Sequence, residues 1–405
     1  MKDSWGDTSR RISPDNVAAD RALTAAANQP AHVVVLSPDA AVPARVDSPL
    51  PQGLVDGIES LHDAASASNT VRAYESDWTA FSRWCDDHDQ TSLPASGVTV
   101  AGYLTDRANL LAPSGDYAYA PSTLSRWVTA INARHHEAGL PEPGTLSVVK
   151  KTLAGIRRSH LRPTRRMAPL LLTDLRTVLS GIDLNAFPNG VIGHRDYALL
   201  VLGFAGAFRR SELASRLIQD VVLHSIDGLH IRLQTSKTDQ EGRGSLKALP
   251  YGAHALTCAP CAFLRWIRVL DTAQNEPRSA MMRLLRSAST HEHICRAPVP
   301  ELERLDPKGP LFRAVRRGGH IGVDAISGDV VNDVVKRRIE HAGMDPKRFG
   351  GHSLRAGFVT QALRDGASPE EVMRQSFHRN AAIIENVYRR EGDPLRGNAV
   401  NRIAL

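Results

Sequence analysis

The feature that most constrains this sequence is an almost wholly apolar run, residues 197–208, that ends directly in two arginines. An uncharged run of this length predicts a helix that is buried on all sides. Such a run seldom ends in paired guanidinium groups unless they face a groove, and a guanidinium is a planar fork that grips two phosphate oxygens. Glu212, three residues after Arg209, is placed to hold that arginine. A salt bridge on the protein surface is the alternative interpretation.

Length and charge bound the class of protein. The chain has 405 residues, with 50 Lys and Arg against 43 Asp and Glu and a net charge of +7. We expect two folded domains with flexible ends, because single cores seldom grow beyond a few hundred residues. The modest excess of positive charge fits a polyanionic partner, but it also fits many other functions.

The sequence also predicts where the protein resides. No apolar run approaches the roughly 20 residues that span a bilayer, and the first residues lack the pattern of a secretory signal. The four cysteines are too few for a disulfide framework in a chain of this length. We therefore expect a cytoplasmic protein without a membrane partner.

The sequence pattern divides the N-terminal part of the chain into three segments. Residues 1–65 predict a flexible tail, because prolines are scattered there without a sustained period. Residues 66–160 predict an all-helical domain of four amphipathic helices. One of these helices opens at Pro121 and carries apolar side chains on one face, namely Leu124, Trp127, Val128 and Ile131. Residues 161–168 are rich in Arg and Pro and predict an exposed linker between two domains.

Residues 169–395 predict a second domain of mixed composition. Within it, Leu229, Ile231 and Leu233 alternate with polar residues, which is the period of a half-buried strand. A polar, glycine-containing turn and a second apolar stretch, residues 246–249, complete a hairpin. The remainder is mostly helical in pattern. The predicted fold class is therefore mainly α with a small β-sheet.

Two further clusters in this domain carry candidate chemistry. Lys237 falls in the predicted turn of the hairpin, where a lysine beside a phosphate can donate a proton to a leaving oxygen. A solvated turn lysine is the alternative. His352 and Arg355 lie three positions apart, on one face of a helix. The pair is suited to accept a proton and to hold a phosphate in one site, although this pattern is common by chance.

The C-terminal region carries the last candidates. Residues 368–371 match a capping box for one helix, and residues 380–388 predict another helix that ends at Tyr388. His378 lies between the two helices, and residues 396–405 predict a C-terminal tail. A lone tyrosine near a C-terminus is usually a packing residue. Tyr388 is therefore a catalytic candidate only when it is considered together with the other clusters.

Taken in order along the chain, these clusters resemble the tyrosine recombinase (phage integrase) family of DNA breaking and rejoining enzymes. The segments that carry the resemblance are residues 206–213, 236–242 and 351–357. The resemblance covers roughly residues 66–395. It implies an all-helical, SAM-like core-binding domain and a mixed α+β catalytic domain, which together clamp double-stranded DNA.

The resemblance also implies a role for each matched residue. The implied tyrosine forms a 3′-phosphotyrosyl link and the two arginines clamp the phosphate, without metal, cofactor or ATP. One histidine accepts the tyrosine proton, the other hydrogen-bonds the phosphate, and the lysine donates a proton to the departing 5′ oxygen. The implied catalytic residues are Arg209, Lys237, His352, Arg355, His378 and the nucleophile Tyr388, with Glu212 in support. Lys247, on the return strand of the hairpin, is a less favoured match for the lysine.

Two departures from the family pattern leave alternatives open. Phe377 replaces the glycine that commonly precedes this histidine. His378 and Tyr388 lie one position farther apart than is usual, and one added helical residue turns a side chain by about 100°. Either the extra residue sits in a loop around residues 379–380, or the tyrosine is turned away from the site.

The implied assembly is a homotetramer that recombines two DNA sites. Two alternatives remain, a type IB topoisomerase-like enzyme with the same chemistry and a non-catalytic DNA-binding relative whose last helix is out of register. Candidate DNA contacts are Arg126, Arg134, Arg165, Arg166, Lys336 and Arg337. A solvated linker explains Arg165 and Arg166 about as well, and solvated helix faces explain the other cations nearly as well.

A separate set of residues has the spacing of metal ligands. Cys258 and Cys261 form a Cys-x-x-Cys pair, and His291, His293 and Cys295 follow downstream. Zinc binding is one interpretation. Cysteines at the start of a helix are more often small buried residues, so the sequence favours no metal.

Overall fold

The computed structural model of the protein describes residues 54, 68–160, 166–233, 244–378 and 380–384. Arg165, Lys237 and Tyr388 lie outside the described residues, as do the predicted tails apart from residue 54. The chain divides into two compact units, Met1–Arg162 and Pro163–Leu405. Among the described residues, no helix is long and apolar enough to cross a membrane.

The described part of the first unit is built mainly of α-helices, which irregular segments connect. The helices are α1 (Ser68–Asp87), α2 (Gly97–Ala108), α3 (Pro121–Glu137) and α4 (Ser147–Ser159). Ser96 caps α2, since its side chain accepts a hydrogen bond from the Thr99 amide at 3.0 Å. The amphipathic helices predicted for this region are confirmed.

An aromatic-rich core holds these helices together. Phe81 and Trp84 of α1 pack with Tyr103 of α2, and the ring centroids of Phe81 and Tyr103 lie 5.2 Å apart. The apolar face predicted for α3 is buried, and its members are Leu124, Trp127, Val128 and Ile131. Burial of such side chains stabilises the unit by about 25 cal/mol per Å² of apolar area.

The described part of the second unit combines helices with two small antiparallel sheets. Its first half contains α5 (Leu172–Ser180), α6 (Asn189–Ala205), α7 (Arg210–Ala214), β1 (Val221–His224), β2 (Gly228–Leu233) and β3 (Ser245–Leu249). Its second half contains α8 (Ala259–Asn275), α9 (Arg278–Arg286), α10 (Glu301–Arg304), β4 (Arg313–Val315), β5 (Ile321–Ala325), α11 (Gly328–His341), α12 (Gly351–Arg364), α13 (Pro369–Ser376) and α14 (Ala381–Ile383). The predicted fold class, mainly α with a small sheet, is confirmed.

Helix α6 lies in the core of the second unit and packs against α8. It is buried along most of its length, as the apolar run predicts. Its bounds differ from those of the run, because the helix begins at Asn189 and ends at Ala205 rather than at Phe208. Beyond that end, Ala207 adopts a left-handed backbone conformation with φ 46°, which an α-helix does not accommodate.

The predicted hairpin is confirmed by strands β2 and β3, which pair antiparallel. Leu229, Ile231 and Leu233 are buried, as their alternation predicts. On β3, the buried positions are Lys247 and Leu249. The pleat of the sheet therefore carries a lysine into the interior of the unit.

Candidate active site

The first candidate arginine, Arg209, lies in the turn between α6 and α7, where it is the N-cap residue of α7. Its backbone N–H donates to Glu212 Oε2 at 3.0 Å, and its Nη1 donates to Glu212 Oε1 at 2.5 Å. The side chain of Glu212 is 5% exposed and that of Arg209 is 23% exposed. The acid thus holds both the backbone and the guanidinium of Arg209, part of which still faces solvent.

The second candidate arginine, Arg355, lies in α12 and is 2% exposed. Its Nη1 donates a 2.7 Å hydrogen bond to the carbonyl of Ala207, in the turn that presents Arg209. An unpaired buried donor costs about 1–3 kcal/mol, so this bond stabilises the buried guanidinium. It also joins the two elements that carry the arginines.

His352 lies one helical turn before Arg355, on the same face of α12. Loss of hydration lowers the pKa of His352 from its ordinary value of 6.5, and the charges of Arg355 and Arg209 lower it further. The side chain is nevertheless exposed on one side. The imidazole is therefore neutral at neutral pH and able to accept a proton.

His378 lies in the connection between α13 and α14, and its Nδ1 is hydrogen-bonded to Ser376 Oγ at 2.7 Å. Burial lowers the pKa of His378 to about 3, and the charges of Arg355 and Arg209 act in the same direction. Charges shift a pKa in this way when they lie close to the titrating group. His378 thus belongs to the same cluster as the two arginines.

Phe377, which replaces the glycine usual in the family, adopts a left-handed backbone conformation with φ 54°. Glycine adopts this conformation freely, whereas other residues do so at a cost of about 1–2 kcal/mol. The turn at the end of α13 thus explains physically why glycine is usual there. In this chain the Phe377 ring covers Lys247, whose Nζ lies 4.2 Å from the ring centroid.

Lys247, the less favoured match for the catalytic lysine, lies beside this cluster. It is fully buried, its Nζ donates to the carbonyl of Gln375, and the same atom lies 5.2 Å from the centroid of the Phe208 ring. Burial lowers the pKa of Lys247 to about 7, with the charge of Glu212 opposing the shift and those of the two arginines assisting it. Its burial depends on the contact with Gln375, which the residues around Lys247 in sequence do not indicate.

Three of the cations predicted to contact DNA hold an acidic partner, namely Arg126 with Asp77 (2.9 Å), Arg134 with Glu137 (3.3 Å) and Arg337 with Asp196 (2.7 Å). Asp196 is fully buried and also binds Arg195 and Arg338. Because a buried carboxylate needs its cations, we expect Arg337 to stabilise the fold. Lys336 is partly exposed and Arg166 is exposed.

Comparison with known proteins decides the family. No protein-family model matches the chain. A curated protein from Selenomonas ruminantium, named integrase/recombinase xerD homolog, is 33% identical to it over 344 residues. The match covers 84% of this chain and 87% of that protein. The chain belongs to the tyrosine recombinase family.

Solved structures similar to this recombinase carry related names. The Tn1549 transposon integrase in complex with transposon right end DNA aligns with a TM-score of 0.49 at 13% identity, over 82% of this chain and 92% of that one. A lambda integrase dimer bound to a core site aligns with a TM-score of 0.47 at 13% identity, over 83% of this chain and 94% of that one. Both alignments extend over most of the recombinase.

The cluster in the recombinase is suited to bind an anion. Arg209 and Arg355 supply two guanidinium groups, which form strong, directional hydrogen bonds to phosphate oxygens. His352 and His378 add neutral imidazole rings beside them. The nearby acid Glu212 accepts a hydrogen bond from Arg209. A phosphodiester between the arginines would meet positive charge and proton carriers together.

Among the described residues, two groups could hold a metal ion, and neither contains a residue of this cluster. One group consists of Cys258, Cys261, His293 and Cys295. The other consists of His224, Asp227 and His230 at the surface, where Asp227 Oδ2 already lies within 3.3 Å of both rings.

Proposed function

We propose that the recombinase cuts and rejoins double-stranded DNA through a 3′-phosphotyrosyl intermediate formed by Tyr388. The observation that carries the proposal is the joint placement of Arg209 and Arg355 beside neutral imidazoles, held by the hydrogen bond from Arg355 to Ala207. The 33% identical recombinase homologue supports the reaction class. Tyr388 and Lys237 enter through the family pattern, since both lie outside the described residues.

The proposed step is a phosphoryl transfer. The Tyr388 hydroxyl gives its proton to His352, and its oxygen bonds to the scissile phosphorus as the bond to the 5′ oxygen breaks. Arg209 and Arg355 neutralise the charge that builds on the nonbridging oxygens. Lys237 donates a proton to the departing 5′ oxygen. A second 5′ hydroxyl then reverses the same step on another strand.

The surroundings of His378 fit a hydrogen bond to the phosphate. A neutral ring that accepts the Ser376 hydroxyl at Nδ1 carries its own proton on Nε2 and donates from there. The low pKa of His378 keeps the ring neutral, so it holds the phosphate as a hydrogen-bond donor and not as a charge.

The energetics of the proposed reaction require no cofactor. The phosphotyrosyl link conserves the energy of the broken phosphodiester, so rejoining needs no ATP. We propose that the guanidinium groups of Arg209 and Arg355 supply the positive charge that many other phosphoryl-transfer enzymes take from a metal ion.

The connection before Tyr388 supports the interpretation in which the extra residue is harmless. Helix α13 ends at Ser376, and Asn380 caps α14 by accepting a hydrogen bond from the Ala382 amide at 2.8 Å. Of the residues between these helices, 377, 378 and 380 are described, and they are not helical. An added residue in such a connection need not turn the following helix by the fixed angle that it would impose within a helix.

We propose that residues 66–160 form the core-binding domain and residues 169–395 the catalytic domain, joined by the linker 161–168. The proposed partner is double-stranded DNA, and the proposed assembly is a homotetramer on two DNA sites in the cytoplasm. Exposed cations of the core-binding domain and the linker, such as Arg134 and Arg166, would contact phosphates.

Covalent trapping tests the proposal. Full-length protein is incubated with sheared chromosomal DNA of its source organism, and protein–DNA adducts that survive detergent are isolated and sequenced. The wild type and the control Tyr251→Phe are expected to give adducts at defined sequences, because the Tyr251 hydroxyl bonds the carbonyl of His224 and no residue of the cluster. Tyr388→Phe is expected to bind DNA without forming an adduct.

The alternatives give different results in the same experiment. Salt-sensitive DNA binding without any wild-type adduct would identify a non-catalytic relative. Adducts spread over many sequences, with relaxation of supercoiled plasmid and no exchange between duplexes, would identify a topoisomerase-like enzyme. Adducts that persist in Tyr388→Phe would overturn the assignment of the nucleophile.

A further inference from the structure

We infer that Cys258, Cys261, His293 and Cys295 form a structural zinc site. Cys258 is the N-cap residue of α8 and Cys261 lies in its first turn, whereas His293 and Cys295 belong to the irregular segment between α9 and α10. The ligand atoms of all four residues lie within 4.8 Å of one another. The fold thus brings together two pairs that are distant in sequence.

The distances between the ligand atoms fit a tetrahedral ion. Cys258 Sγ lies 3.9 Å from Cys295 Sγ, and His293 Nδ1 lies 3.5 Å from Cys261 Sγ and 3.8 Å from Cys295 Sγ. A tetrahedral zinc ion with Zn–S bonds of about 2.3 Å and a Zn–N bond of about 2.0–2.1 Å sets its ligand atoms about 3.5–3.8 Å apart. The ligand set, three sulfurs and one nitrogen, is one that zinc prefers.

A disulfide does not explain this arrangement. A disulfide places its sulfur atoms about 2.05 Å apart. The 3.9 Å between Cys258 Sγ and Cys295 Sγ is far longer, and all four cysteines of the chain are free thiols. Simple burial of small side chains does not explain it either, because burial alone would not gather three sulfurs around one imidazole nitrogen.

The backbone around the sulfurs is arranged to support thiolates. The Gly252 amide donates to Cys258 Sγ at 3.4 Å, and the Ile294 amide donates to Cys261 Sγ at 3.3 Å. Such bonds orient the ligands of a metal and stabilise their negative charge. Three thiolates in an apolar core would be costly without a cation, and a divalent ion would leave this site with one net negative charge.

The site would be structural because four protein ligands complete a zinc coordination sphere and leave no position for substrate. Its effect would be to pin the irregular segment to the start of α8. Arg265 of α8 makes a second attachment, since it donates to the carbonyls of Ser289 and Glu292 at 3.0 and 2.9 Å. The inference goes beyond the proposed recombination chemistry, which uses none of these residues.

Metal analysis of the full-length protein, purified without a polyhistidine tag, tests the inference. The wild type is expected to contain about one zinc atom per chain. Cys258→Ser and Cys295→Ser are expected to lose it, because removing a ligand costs more than the 10–100-fold in affinity that a supporting partner contributes. Matched controls are Cys85→Ser, the remaining cysteine of the chain, and His291→Ala, which neighbours His293. Both controls are expected to keep the zinc.

Two measurements on the unmodified chain separate metal loss from misfolding. Replacement of zinc by Co²⁺ is expected to give thiolate charge-transfer absorption and the strong visible bands of a tetrahedral site. Removal of zinc by a chelator is expected to lower the Tm by at least about 4 °C, and added zinc is expected to restore it. Wild-type protein with reduced thiols but no zinc, iron in place of zinc, or unchanged zinc in Cys258→Ser would overturn the inference.

Discussion

The guanidinium of Arg355 donates a 2.7 Å hydrogen bond to the backbone carbonyl of Ala207. Ala207 has a left-handed backbone and stands two residues before Arg209, at the point where the buried helix α6 has ended. One candidate catalytic arginine therefore stabilises the turn that presents the other. This relationship couples the geometry of the site to the stability of the fold.

Arg355→Lys separates charge from geometry. Lysine keeps the positive charge, but its ammonium group lacks the planar fork that lets one side chain bond Ala207 and grip a phosphate. We expect the rate of DNA cleavage to fall by about 10²–10³-fold, the range for loss of one transition-state donor, with little change in DNA binding. The control is Arg364→Lys, at an exposed position of the same helix. Equal cleavage by Arg355→Lys and the wild type would contradict the role of the fork.

The ion pair of Arg209 and Glu212 is expected to stabilise the protein more than the ion pair of Arg210 and Asp329 does. Glu212 is buried and accepts two hydrogen bonds from Arg209, whereas Arg210 and Asp329 form an exposed pair at 2.8 Å. We expect Glu212→Ala to lower the free energy of unfolding by about 1–3 kcal/mol. Asp329→Ala is expected to cost at most about 1 kcal/mol. Urea unfolding of both variants measures the difference, and equal losses would refute the prediction.

Lys247 is expected to make stability rise with pH above neutrality. Its pKa is about 7 in the folded protein and its ordinary value is 10.5, so between these values the unfolded chain binds the extra proton. Stability increases with pH wherever the unfolded state binds more protons. Lys247→Met removes this proton from both states.

The measurement is the free energy of unfolding of each protein at about pH 7 and about pH 9. Its increase is expected to be smaller in Lys247→Met than in the wild type. The control is Lys308→Met, at an exposed position, which is expected to behave as the wild type does. A full increase in Lys247→Met would show that Lys247 is not the titrating group.

A pair of substitutions at Phe377 isolates the cost of its left-handed backbone. Phe377→Gly and Phe377→Ala both remove the ring that lies over Lys247. They differ in the steric cost of φ 54°, which glycine avoids. The glycine variant is expected to be more stable than the alanine variant by about 1–2 kcal/mol in urea unfolding. An alanine variant of equal or greater stability would mean that the turn relaxes to another conformation.

The helices and strands could be predicted from the sequence, because the periodic patterns that indicate them are local. The buried face of α3, the buried members of β2 and the capping box at Ser368 and Glu371 follow from spacing alone. The candidate residues Arg209, His352, Arg355 and His378 came from their order along the chain, and the structure brings them into one cluster.

The features that could not be predicted depend on contacts between distant segments. Lys247 is buried because β3 lies against the residues before His378, and nothing near Lys247 in sequence indicates this contact. The left-handed turn at Phe377 could not be predicted, because phenylalanine disfavours that backbone conformation. The convergence of Cys258 and Cys261 with His293 and Cys295 depends on the path of a long irregular segment, which spacing does not specify.

Mass spectrometry of the covalent adduct tests the central claim most directly. Adducts trapped with wild-type protein are digested with protease and nuclease, and the peptide that carries a nucleotide is sequenced. The expected result is a peptide that contains Tyr388, linked through the tyrosine oxygen to a 3′ phosphate. A nucleotide on any of the other six of the seven tyrosines, or on a residue of another type, would contradict it.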